Sequence, residues 1–200
     1  KRILDTNETA NGYRQPFWRA GGYAGKLKTA QKEGAVGVQA GVLFEFGRES
    51  GLNPELRERG IDAIMNGAIV FKDPRVSASG FPFNVLQVNG TLSERQLYEA
   101  RTRICALGYL AEPYLDGDQV RLRCPGEKVE DFVRKGGRIE DTIGRGCLCS
   151  SLMAVIDLAS PGELSLLTAA SDLSCVKSVI ERHGRDYGMS EGIDYIKNPY

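Results

Sequence analysis

Short apolar runs and helical periodicity alternate along the first third of the chain. The β-prone stretch 17–20 and the small apolar run 35–41 are separated by residues 26–32, which have the polar face of a helix ended by Gly34. A nearly continuous apolar run such as 35–41 is typical of a strand buried on both faces of a parallel sheet. An Asn cap and a first-turn Pro predict a further helix over residues 53–65. This order predicts a right-handed strand–helix–strand crossover with parallel strands.

After residue 67 the pattern becomes irregular and the predicted elements are short. We expect strands at 68–71 and 84–88, a hairpin turn at Asp116-Gly117, and helices over 93–104, 128–135, 148–158, 171–182 and from Ser190 onward. Ser93 and Gln96 form a capping-box pattern at the start of the 93–104 helix. The sequence therefore predicts an α/β head at residues 1–67 and an irregular α+β extension at residues 68–200.

The charge of the chain is balanced and evenly distributed, with 26 Lys and Arg against 26 Asp and Glu in 200 residues. Because there is no basic block, no long-range field gathers nucleic acid, and we expect no nucleic-acid partner. The longest apolar runs, such as residues 152–156, are far below the roughly 20 residues of a membrane helix. We therefore expect a cytoplasmic protein with no membrane partner.

His183 is the single histidine of the chain, which excludes sites that need two histidines. It lies between Arg182 and Gly184, a setting typical of a helix C-terminus. There a basic side chain interacts favourably with the helix dipole and a glycine ends the helix. We interpret His183 as structural and assign no catalytic role to it.

Glycine turns follow both strands of the predicted crossover. Gly21-Gly22 comes directly before the first helix, and residues 39–42 end the second strand. Glycines at such turns let backbone N–H groups approach a phosphate, as in the cofactor sites of (β/α)8 barrels. Lys26, one turn into the helix, is either a phosphate-neutralising side chain or an ordinary exposed lysine. Turns of this kind also serve as helix entries without a ligand, so the residues alone leave both interpretations open.

Longer segments of the chain resemble a known family. Residues 16–23 (PFWRAGGY) and 34–44 (GAVGVQAGVLF) resemble the last two strands of the nitronate monooxygenases, formerly called 2-nitropropane dioxygenases. Residues 79–83 (SGFPF), 123–125 (RCP), 133–137 (VRKGG) and 147–149 (CLC) are similar to the C-terminal extension of one branch of that family. Nitronate monooxygenases are flavoproteins, FMN-dependent (β/α)8 TIM barrels.

The resemblance implies that the chain is the C-terminal part of such a barrel, contributing its last two βα units and the extension. It implies an oxidoreductase that oxidises alkyl nitronates with molecular oxygen. The missing N-terminal part of the barrel would be its partner and would hold the catalytic base, so the chain alone would be catalytically incomplete. By the same resemblance, the FMN phosphate would contact Gly21, Gly22, Gln39, Ala40, Gly41 and Val42.

Two positions depart from the family pattern. The family usually has threonine where this chain has Val42, so a hydroxyl–phosphate hydrogen bond is missing, although the backbone N–H remains. Arg19 stands where an apolar strand residue is usual. Two alternative functions stay open: a flavin-dependent enoyl reductase on a similar barrel, and a non-enzymatic thiolate-metal or docking module in residues 68–200.

The five cysteines do not form the even, closely spaced set of a secreted disulfide framework. Cys105, Cys124, Cys147 and Cys149 are clustered in sequence, whereas Cys175 has helical spacing with Val179 and is expected in the core. Four thiolates can hold a structural zinc ion, but the usual pattern has two close pairs, and here only Cys147 and Cys149 are close. Free thiols, a metal site and disulfides all remain open, and no metal ligand is assigned.

Overall fold

The computed structural model describes residues 16–20, 24–73, 77–102, 105 and 107–198. They divide into two compact units: the residues up to Ser50 together with those from Asp172 onward, and the residues from Gly51 to Ser171. This division runs differently from the one predicted after residue 67. Residues 51–67 belong to the second unit, and the C-terminal helices belong to the first.

The elements are numbered in chain order. The strands are β1 (Trp18–Ala20), β2 (Gly37–Gln39), β3 (Val70–Asp73), β4 (Phe83–Leu86), β5 (Glu112–Asp116) and β6 (Gln119–Arg123). The α-helices are α1 (Ala24–Lys32), α2 (Val42–Glu45), α3 (Pro54–Met65), α4 (Arg95–Ala100), α5 (Val129–Arg134), α6 (Cys149–Ala154), α7 (Ser174–His183) and α8 (Met189–Lys197), with a 3₁₀ helix at Ile139–Thr142.

The first unit contains the predicted crossover. β1 and β2 pair in parallel, with Trp18 opposite Gly37 and Ala20 opposite Gln39, and α1 connects them. The predicted order of strand, helix and parallel strand is confirmed. The ring of Trp18 lies directly on Gly37, where a Cβ would come within 2.3 Å of the indole. Glycine is required at this position because any side chain would displace the tryptophan.

The burial of this small sheet differs from the prediction. The three residues of β1 are exposed, Trp18 by 66%, and along β2 only Gly37 is buried. The expectation of a strand buried on both faces is therefore wrong for residues 37–39. The physical reason is that, within the described ranges, the sheet has only two strands, whereas a parallel strand is normally covered by neighbours and by helices on both faces.

The rest of the first unit fixes α2 in place. α2 packs against α7 and α8, and Leu43 and Phe46 are fully buried. The buried Tyr187 hydroxyl donates a 2.6 Å hydrogen bond to the Leu43 carbonyl oxygen. Gly192 in α8 allows the close approach, since a Cβ there would lie 3.0 Å from the Phe44 ring. The position of α2 is thus set by the C-terminal helices.

The second unit is built from α3 and two antiparallel pairs. β3 pairs with β4, and β5 pairs with β6 as a hairpin. One core cluster consists of buried residues from β4 and three later segments: Val85, Leu92, Leu148 and Leu166. α3 begins as predicted, with the Asn53 side chain accepting a 2.8 Å hydrogen bond from the Leu56 N–H and Pro54 in the first turn.

Three local predictions for the later elements are corrected. α4 spans only Arg95–Ala100, and Ser93 forms no capping box, because its hydroxyl bonds to the backbone of Val88 instead. The hairpin turn is Gly117-Asp118, one residue later than expected, with Gly117 at φ 61° as the first turn residue of a type II′ turn requires. α6 ends at Ala154 rather than at residue 158.

The described residues therefore form a mixed α/β structure with three separate two-stranded sheets and, among those strands, no closed barrel. No helix in the described ranges is both long enough and apolar enough to cross a lipid bilayer.

Candidate functional site

Residues 39–42 connect β2 to α2, and we call them the β2–α2 turn. Gln39 ends the strand, Ala40 follows, and Gly41 occupies the N-cap position before Val42, with φ −95° and ψ −55°. Gly41 is exposed, and a Cβ built on it would meet no described atom within 4 Å. Because this φ is accessible to any residue, backbone strain does not explain the glycine. Its absent side chain leaves open space beside the start of α2.

The β2–α2 turn contains backbone N–H groups that precede the hydrogen-bond series of α2. The first bonds within α2 run from the Phe44 and Glu45 N–H groups to the Gly41 carbonyl oxygen, at 2.9 and 3.1 Å. The N–H groups of Gly41, Val42 and Leu43 precede this series, as the first N–H groups of any α-helix do. Val42 has no hydroxyl, so only its backbone can donate. At Gly41 and Val42 the donors are therefore main-chain groups only.

The other predicted members of this site have different positions. Gly21 and Gly22 lie outside the described residues. The Lys26 ammonium group forms an ion pair with the Asp172 carboxylate. The hydrogen bond from Lys26, helped by bonds from Ser174, lowers the pKa of Asp172 to about 2. A carboxylate of the same unit therefore already neutralises much of the charge of Lys26.

Glu45, at the end of α2, is a residue that the sequence did not single out. Burial raises its pKa from 4.5 to about 7. The carboxyl group therefore carries a proton over part of the neutral pH range. No sequence pattern around Glu45 indicates this shift, because burial of the carboxyl group depends on the folded structure.

In the second unit the structure brings four cysteines to one place. Cys105, Cys124, Cys147 and Cys149 line a single cavity of about 20 Å³, which we call the cysteine cavity. All four are free thiols, with Cys105 exposed and the others partly buried. Burial raises the pKa of Cys124, and the three other cysteines raise it further. The clustering in sequence therefore corresponds to proximity in space, although these residues lie in three separate segments of the chain.

A buried ion pair lies beside the cysteine cavity. Arg101 and Glu163, with side chains only 6% and 9% exposed, are 2.7 Å apart. The guanidinium of Arg101 also donates a 3.3 Å hydrogen bond to the Cys147 carbonyl oxygen. Burial raises the pKa of the Cys147 thiol, and Arg101 lowers it in opposition. The Nε of Arg101 is buried without a hydrogen-bond partner among the described residues. No sequence pattern indicates this pair, whose members are 62 positions apart.

Backbone contacts hold two of the cysteine segments together. Cys124 directly follows β6 and begins a turn closed by the Glu127 N–H, which donates to the Cys124 carbonyl oxygen at 2.9 Å. Gly126 in this turn touches the Gly146 backbone so closely that a Cβ would lie 2.4 Å from its carbonyl oxygen. On the other side, the Cys147 N–H donates a 3.0 Å bond to the Tyr98 hydroxyl. Cys124 and Cys147 are thereby fixed next to each other.

His183 and Cys175 lie at the places in the fold that the sequence predicts. His183 is the last residue of α7, and Gly184 ends the helix at φ 86°, as predicted. Its Nε2 lies 3.8 Å from the Asp194 carboxylate. Cys175 is 3% exposed beside the fully buried Val179, which confirms the predicted core position.

Within the ranges that the structure describes, no group of three or more His, Cys, Asp or Glu side chains is arranged to hold a metal ion. Comparison with protein-family models, curated proteins and solved structures found no match to this chain.

Proposed function

We propose that the protein is an FMN-dependent oxidoreductase of the nitronate monooxygenase type, and that this chain contributes the phosphate end of its flavin site. The observation that carries the proposal is the parallel β1–α1–β2 unit, whose second strand leads through Gly41 into α2. In (β/α)8 barrels the loops after the last two strands commonly bind the cofactor phosphate. The β2–α2 turn is such a loop at the carboxyl end of a parallel strand.

The residues of the β2–α2 turn fit a phosphate group. Gly41 leaves open space, and the first N–H groups of α2 can donate into it. In the proposed site, the backbone N–H groups of Gly41 and Val42 donate hydrogen bonds to the phosphate. Gln39 and Ala40 precede them in the turn and border the site. By the resemblance to the nitronate monooxygenases, Gly21 and Gly22 would also belong to this site.

The exposure of the small parallel sheet supports the barrel part of the proposal. All residues of β1 are exposed, and Trp18 presents a large apolar surface. Parallel strands in barrels are flanked by further strands and covered by helices. Six further βα units, packed beside β1 and β2, would cover this surface and supply the catalytic base.

When bound, FMN supplies the redox chemistry, in which an alkyl nitronate is oxidised and molecular oxygen is reduced. In this proposal the chain binds the phosphate of FMN and thereby orients the cofactor. Main-chain donors at a fixed turn position the phosphate without side-chain rearrangement, and that position determines where the rest of the cofactor lies. The packing of α2 against α7 and α8 keeps the turn in place.

The test is a matched pair of substitutions in the full-length protein, Gly41→Asp and Gly41→Asn. Both add a side chain of the same size into open space, at a φ that tolerates it, so both variants should fold. Only the aspartate sets a negative charge against the phosphate. Like charges about 4 Å apart cost about 4 kcal/mol at an effective dielectric constant near 20, or roughly a thousandfold in affinity.

We expect the Asp variant to be purified without FMN, colourless and without nitronate oxidation, and the Asn variant to bind FMN measurably more tightly than the Asp variant. Circular dichroism checks that both are folded. Equal FMN content in the Asp variant and the wild-type protein would show that Gly41 is not at the phosphate.

A further inference from the structure

The cysteine cavity combines features that free thiols alone do not explain. Its volume, about 20 Å³, is enough for one guest the size of a water molecule. Four thiols from three chain segments surround this space, and Leu148, which separates Cys147 from Cys149, is anchored in the core cluster. The cavity is therefore a small space lined by four cysteine side chains.

We propose that Cys105, Cys124, Cys147 and Cys149 bind one Zn²⁺ ion in the cysteine cavity, as a structural tetrathiolate site. Thiolates are the ligands that select zinc among common divalent cations, and structural zinc sites are closed and four-coordinate. The cavity accommodates one ion. Among the described residues the four side chains are not grouped as metal ligands, so binding requires the thiols to turn toward the ion by rotation about their side-chain torsions.

The surroundings of the cavity offer a buried hydrogen-bond donor to such a site. Binding converts four thiols and Zn²⁺ into a zinc tetrathiolate of net charge −2, with release of four protons. Arg101 is the buried cation beside Cys147, and its Nε has no hydrogen-bond partner among the described residues. A zinc-bound thiolate is an acceptor for such a donor, in the way that outer residues stabilise metal ligands. Because Glu163 already pairs with Arg101 at 2.7 Å, what Arg101 contributes is this unpaired N–H donor and not an excess positive charge.

The β5–β6 hairpin gives the site a structural purpose. Its side chains are almost all exposed, Leu115 by 74%, so packing does little to hold it. A two-stranded hairpin alone is marginally stable in water. Cys124 directly follows β6, and zinc would tie this end of the hairpin to residues 105 and 147–149. The ion thereby anchors a hairpin that the apolar core does not reach.

The experiment measures zinc in the full-length protein purified under reducing conditions, by elemental mass spectrometry. We expect about one zinc per chain, falling at least tenfold in Cys124→Ala. Cys175→Ala, which removes the buried cysteine outside the cavity, is the matched control and should keep its zinc. Titration of the wild-type thiols with a mercurial reagent should release one zinc, independently of how well any variant folds. Hydrogen exchange at residues 112–123 should accelerate at least tenfold once the zinc is removed.

Several results would overturn the proposal. The first is a protein that contains no zinc and takes up no equivalent of Zn²⁺ added under reducing conditions. The second is a protein that contains iron instead of zinc. The third is a disulfide between two of the four cysteines. The outcome is independent of the flavin proposal. The Gly41→Asp variant should lose FMN and keep zinc, so either proposal can fail while the other stands.

Discussion

Glu45 illustrates at the scale of one residue how packing changes chemistry. Its carboxyl group sits at the end of α2, the helix that begins at the β2–α2 turn. Burial favours the neutral form and raises its pKa to about 7. Asp172, in the same unit, is shifted the opposite way, because Lys26 and Ser174 hydrogen-bond to its charged form. The pKa values of these two carboxyl groups are thus shifted in opposite directions by the surroundings that the fold gives each of them.

The raised pKa of Glu45 predicts a pH dependence of stability. The folded state holds the proton more tightly than the unfolded state, where the ordinary pKa is 4.5. The stabilisation is therefore complete below pH 4.5 and is lost as pH rises through 7, by about 3 kcal/mol. We expect the free energy of unfolding of the wild-type protein, minus that of Glu45→Gln, to fall by this amount between pH 4 and pH 8. A difference that stays constant across this range in urea titrations would contradict the burial of Glu45.

At the scale of elements, predictions succeeded where local interactions decide and failed where distant ones compete. Asn53 and Pro54 start α3 through contacts within one turn. The local sequence pattern was therefore sufficient to predict where this helix begins. Ser93 was predicted to cap a helix by the same logic, but a contact five residues back, with Val88, takes its hydroxyl. The hairpin was predicted correctly, whereas its turn shifted by one residue because the register of β5 and β6 depends on pairing along the whole ladder.

The N-cap of α3 provides a test at this scale. Asn53 accepts a hydrogen bond from the Leu56 N–H and donates one to Asp157 at 2.9 Å. Asn53→Ala removes both bonds and should destabilise the protein by about 1–2 kcal/mol. Asn53→Ser keeps an N-cap acceptor and should recover part of the loss. Urea unfolding measures both variants, and equal stability of Asn53→Ala and the wild-type protein would show that the cap contributes nothing.

The candidate sites were predictable to different degrees. The close pair Cys147 and Cys149 is visible in the sequence, but only folding shows that Cys105 and Cys124 line the same cavity. Arg101 and Glu163 could not be paired in advance, since their contact depends on the packing of segments far apart in the chain. For the β2–α2 turn, the sequence predicted the strand and the glycine turn, whereas the short helix α2 and the accessible space beside Gly41 required the structure.

At the scale of the whole molecule, the two compact units carry two separate proposals. The first unit holds the parallel pair and the β2–α2 turn, and the second holds the cysteine cavity and the hairpin. The central claim concerns the first unit: its exposed parallel strands belong to a larger flavin-binding barrel. That claim predicts a bound cofactor, a property that can be measured without any variant.

The most direct measurement is native mass spectrometry of the full-length wild-type protein, paired with its visible absorption spectrum. The account predicts one non-covalent FMN per chain, released on denaturation, with a flavin spectrum that bleaches when an alkyl nitronate is added without oxygen and returns when oxygen is admitted. A folded full-length protein that carries no flavin and takes up none from added FMN would contradict the account.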